Sequence, residues 1–111
     1  MNPKYFKDKI YLELNDSQDY IKKAIDSIKS HPKWSYTFKV MSDDRYIHAE
    51  QLYKMFLDLY LESNDQEAYL NSLRDAIVEM FASKTRTIDG YRATYDLISG
   101  SLEPDEETGD E

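Results

Sequence analysis

The chain has 111 residues, a net charge of −8 and no cysteine. That length suits one domain that buries a core without covalent staples, and the missing cysteines exclude disulfides, thiolate metal sites and cysteine nucleophiles. No apolar run approaches the roughly 20 residues of a membrane span, and MNPKYFKDKIYLEL lacks the apolar core and cleavage site of a signal peptide, so the expectation is a cytoplasmic protein with no membrane contact.

Residues 1–40 carry a charge balance of +3, residues 41–100 one of −5 and residues 101–111 one of −6. The acidic total works against long-range attraction to nucleic acid. It leaves room for a local basic contact.

In chain order, Asn2–Pro3 offers a cap followed by proline at the first helical position. Tyr5, Phe6, Ile10 and Leu14 fit helical spacing, although residues 10–14 also alternate in polarity. Asn15–Asp16–Ser17 reads as punctuation. Ser17–Ser30 then reads as a helix with Ile21, Ala24, Ile25 and Ile28 on one face, stopped by Pro32. In Lys33–Met41, Trp34, Tyr36, Phe38 and Val40 alternate with polar residues, so 34–41 is expected to be an aromatic extended or β segment.

The strongest helical signal is Asp44–Leu61. Ala49, Leu52, Phe56 and Leu59 share one stripe, with Tyr46, Tyr53 and Tyr60 beside it. Ser63–Asn64–Asp65 breaks the chain, and Asn64 with Glu67 suggests a capping box. Asp65–Ser83 repeats the spacing through Leu70, Leu73, Ile77 and Met80, so a helical hairpin is expected at the centre of the domain. Thr85–Arg86–Thr87 reads as a further break before a last helix, Thr87–Ser99, with Gly100 as its C′ residue. Residues 101–111, SLEPDEETGDE, hold six acids and are expected to be disordered. The fold expectation is thus mostly α: a single helical domain over 1–100, of four or five helices, and an acidic tail over 101–111.

Catalytic signals are sparse. Asp44 and His48 stand four apart on a helix, but two ligands make no metal site. There is no glycine-rich phosphate loop, nucleophile elbow or zinc motif, so neither an enzyme nor a cofactor is expected. Tyrosine joins a large contact area to a polar tip, which suits interfaces. Tyr46, Tyr53 and Tyr60 are therefore candidates for partner binding, against the alternative that they edge the core. Lys84, Arg86 and Arg92 gather around an expected helix N-terminus, where backbone N–H groups favour an anion. In size, lack of cysteine and acidic tail the chain resembles the small accessory proteins of phages and other mobile elements, a resemblance that carries no site residues. The functional expectation is a non-enzymatic interaction or assembly protein that self-associates as a homo-oligomer through aromatic-rich helices. The alternatives are an acidic inhibitor or immunity-type protein on a basic partner, and a nucleic-acid packaging or replication accessory.

Overall fold

The computed structural model describes residues 2–63 and 67–110, with side chains as far as Ser101. It holds three helices: α1, Lys4–Ser27; α2, Pro32–Glu62; and α3, Ala68–Asp110. Among the described residues there is no strand. No helix among them is long and apolar enough to cross a membrane.

α1 and its C-cap residue bury Phe6, Ile10, Leu14, Ser17, Ile21, Ala24 and Ile28, at successive spacings of three or four residues. That rhythm keeps one stripe facing its neighbours. The expected break at Asn15–Asp16–Ser17 does not occur. Ser17 is fully buried and its hydroxyl is bonded across to α2, so the residue that looked like a cap is a packing residue. α1 ends at Ser27, whose carbonyl accepts the His31 N–H at 2.8 Å. Pro32 then opens α2, where its missing N–H costs nothing.

Residues 34–41 are helical, not extended. The alternation of large side chains misleads because this stretch buries its small residues. Ser35 and Ser42 face α1, while Trp34, Tyr36 and Val40 stand in solvent. Ser35, Ser42, Ala49 and Phe56 recur every seven residues along the buried line of α2. Small side chains there let two helix backbones approach closely. Across the seam, Ser35 Oγ donates to the Ala24 carbonyl, and Ser17 and Ser42 donate to each other's carbonyls. The pairings Phe6–Phe56, Ser17–Ser42 and Ala24–Ser35 make α1 and α2 antiparallel.

α3 runs without interruption through Thr85–Arg86–Thr87 and past Gly100. Thr87 and Thr94 bond back to the carbonyls four residues earlier, and Ser101 bonds back to Ile98, so these hydroxyls are satisfied without ending the helix. Among the described residues the four or five expected helices are therefore three. The hairpin of α2 and α3 is present: Tyr46 and Tyr53 meet Phe81, and Tyr60 meets Asn71, in antiparallel order. α3 lies parallel to α1, with Ile28 beside Tyr95 and Ile98. The capping box proposed at Asn64, and the side chains of the acidic segment beyond Ser101, lie outside the described residues.

The core has two parts. One groups Phe6, Ile10, Leu14, Ala49, Phe56, Tyr60, Leu73, Ile77 and Ile88. The other groups Ile21, Ala24, Ile28 and Tyr95 near the α1–α2 turn. The molecule is a rod of 66 × 20 × 20 Å.

Candidate interaction surface

The tyrosine row edges the core on the side that faces α3. Tyr60 is buried against Phe56 and its hydroxyl bonds Asn71. Tyr53 stacks on Phe81 with ring centroids 5.1 Å apart. Tyr46 meets the edge of Phe81, and its hydroxyl lies 2.9 Å from Thr85 Oγ1. All three contact α3 from α2, and Tyr46 and Tyr53 remain half-buried while Tyr60 is buried. The helix stripe beside Ala49 and Phe56 predicts this placement, since α2 has neighbours on two sides.

The three cations do not converge. Lys84 points to α1, with Nζ 3.5 Å from Gln18 and over the ring of Tyr11. Arg86 stands exposed on the outer face of α3. Arg92 points to α2, where its guanidinium lies 4.8 Å from the Tyr46 ring and 3.2 Å from Asp43 Oδ1. A second contact runs to Asp89 at 3.5 Å, while Arg92 Nε is buried without a hydrogen-bond partner. There is no helix N-terminus at this point, because α3 is continuous. The anion site inferred from the sequence loses both its dipole and its cluster.

His48 does not pair with Asp44. Its Nδ1 lies 3.1 Å from Glu13 Oε2, and Arg45 Nη1 lies 3.0 Å from Glu13 Oε1. Glu13 is buried, so its charge needs both partners. The hydrogen bond to Glu13, then its charge, holds the Arg45 guanidinium above its ordinary pKa. This is a clamp between α1 and α2. Sequence reading missed it because Glu13 sits in an alternating stretch, and nothing local marks a buried carboxylate. Among the described residues no group of three His, Cys, Asp or Glu side chains is placed to hold a metal ion.

Large apolar side chains stand exposed on all three helices, among them Leu12, Leu61 and Leu97, and two exposed groups lie close together on the outer side of α2 and at the α1–α2 turn. Tyr36, Val40 and Ile47 stand at i, i+4 and i+11, one face of the helix, opposite the buried Ser35–Ser42–Ala49 line. Tyr36 is 63% exposed. At the turn, His31 and Trp34 stack with centroids 3.9 Å apart and planes 9° from parallel. Trp34, the only tryptophan, is 58% exposed. Ser30, His31, Pro32, Lys33 and Trp34 line an open cavity of about 410 Å³. Residues 22–39 hold five lysines and one aspartate, which makes this end basic. No protein-family model, curated protein or solved structure matches the chain.

Proposed function

We propose that the chain is a non-enzymatic assembly protein of the cytoplasm that associates with further copies of itself through the outer face of α2. The observation that supports this is the row Tyr36, Val40 and Ile47, exposed along one face of α2 opposite the line that packs on α1. Single exposed apolar residues are ordinary on a surface. A row at helical spacing is the pattern that a partner helix buries. In this reading self-association runs through the outer row, while Tyr46, Tyr53 and Tyr60 contact α3.

Sedimentation equilibrium of the parent and of Tyr36→Ser/Val40→Ser/Ile47→Ser tests the reading. The parent is expected as a defined oligomer and the variant as a species of lower mass, with equal helical content. A parent that stays monomeric at high concentration overturns it. So does a variant whose assembly is unchanged.

A further inference from the structure

We infer that the α1–α2 turn is a second contact between copies, one that receives residues 102–111 of another chain; this rests on the self-association reading above and adds a second surface to it. Lys29 and Lys33 flank the stacked His31–Trp34 pair and make no ion pair among the described residues. Other cations of this end are engaged: Lys39 with Asp43, Lys22 and Lys23 over the rings of Tyr91 and Tyr20. The turn thus offers two cations without an ion pair among the described residues, Lys33 in the lining of an apolar cavity with an aromatic wall and Lys29 next to that lining in the chain.

The matching chemistry is a short acidic segment with a few apolar side chains. Residues 102–111, LEPDEETGDE, hold six carboxylates, no cation, Leu102 and Pro104. They also begin at this end of the rod, because Tyr95 and Ile98 of α3 pack beside Ile28. α3 continues in line past the turn, which carries this segment away from its own chain's cavity and toward that of a copy placed end to end. A twofold axis between two such ends seats each acidic segment on the other copy's turn, a self-complementary arrangement. Nucleic acid fits less well. Its phosphates would meet six carboxylates tethered beside the same lysines, at high effective concentration.

Two full-length variants test the contact. Lys29→Gln/Lys33→Gln removes the receiving charge. Glu103→Gln/Asp105→Asn/Glu106→Gln/Glu107→Gln/Asp110→Asn removes most of the donated charge. Each alone is expected to lose the salt-sensitive part of assembly and to shift Trp34 emission toward that of free indole in water. An equimolar mixture of the two should recover association, since each supplies what the other lacks. The parent should lose the same part at about 1 M salt, where the Debye length is about 3 Å. The outer row of α2 is apolar, so its contact survives that salt; the serine variant of that row should still show the end contact at low salt. The two contacts therefore fail separately. A mixture that recovers nothing overturns the proposal. So does a Trp34 response in a strictly monomeric sample, which would place the segment on its own turn. Quenching of Trp34 by a single-stranded oligonucleotide, with no response to the acidic variant, would give the site to nucleic acid instead.

Discussion

Ser17 and Ser42 exchange hydrogen bonds across the α1–α2 seam: each hydroxyl donates to the other's backbone carbonyl, at 2.8 Å and 2.6 Å, and the two oxygens lie 3.1 Å apart. Both residues are fully buried. The small side chain permits the approach, and the carbonyls already engaged within the helix accept a second bond. Ser42→Ala keeps the approach and loses one donor, so it should cost about 1 kcal/mol. Ser42→Leu must push the backbones apart and should cost about 1–3 kcal/mol or more. Denaturant titration of the two variants checks this; equal midpoints would mean that the seam does not need small residues.

Phe56 fills the end of the same line and is fully buried against Phe6 and Tyr60. Phe56→Ala should destabilise by about 3–5 kcal/mol. That is a large share of the roughly 5–15 kcal/mol expected for a domain of this size. Thermal melting should show a large drop, or no cooperative transition.

The cations Arg86 and Arg92 should separate cleanly. Arg92 covers the Tyr46 ring and bridges to Asp43. Arg92→Gln should cost about 1–2 kcal/mol, the range of a partly desolvated cation–ring contact. Arg92→Lys should restore only part of it, because an ammonium does not reproduce the planar fork. Arg86→Gln should change stability by no more than a few tenths of a kcal/mol. Paired urea midpoints decide it, and equal losses for Arg86 and Arg92 would contradict the placement.

These residues also show what the sequence makes legible. The apolar rows of α2 and α3 were readable because Leu, Ile and Phe at helical spacing have one explanation. The breaks were not. Ser17, Thr85 and Thr87 are residues that favour caps and turns, and only their partners across the bundle or four residues back reveal why the helix continues. The extended reading of 34–41 failed for a related reason. Burial there follows Ser35 and Ser42, so hydrophobicity points the wrong way. The tyrosine row is legible in the sequence, but the choice between core and partner surface depends on where α3 lies.

Lys39 and Asp43 offer a test by pH. Lys39 Nζ lies 2.7 Å from Asp43 Oδ2, one turn along α2. The hydrogen bond to Asp43 is the largest cause raising the lysine above its ordinary 10.5, with burial opposing it. A raised lysine pKa stabilises the fold below 10.5, and that contribution is lost as pH rises through the folded-state value. The pair is partly solvated, so it should be worth about 0.3–0.5 kcal/mol. The stability gap between parent and Lys39→Gln should be constant from neutral pH to about pH 9 and close at higher pH. A gap that widens there would mean that the lysine is not held by Asp43.

Gly90 lies in the middle of α3, and a Cβ added there meets nothing within 4 Å. Gly90→Ala should therefore stabilise by about 1 kcal/mol through helix propensity and a less flexible unfolded chain. Differential scanning calorimetry should show a higher Tm. A lower one would mean that α3 bends or opens at this point.

The rod of 66 × 20 × 20 Å has a hydrodynamic consequence. With an axial ratio of roughly three to one, a single copy drags more solvent than a sphere of the same 13.1 kDa and should elute early from a sizing column. The amide N–H bonds of all three helices lie close to the long axis, so their magnetic relaxation follows the slow end-over-end tumbling. A monomer would thus look heavier than it is in both elution volume and line width, whereas equilibrium sedimentation and light scattering weigh the particle regardless of its shape.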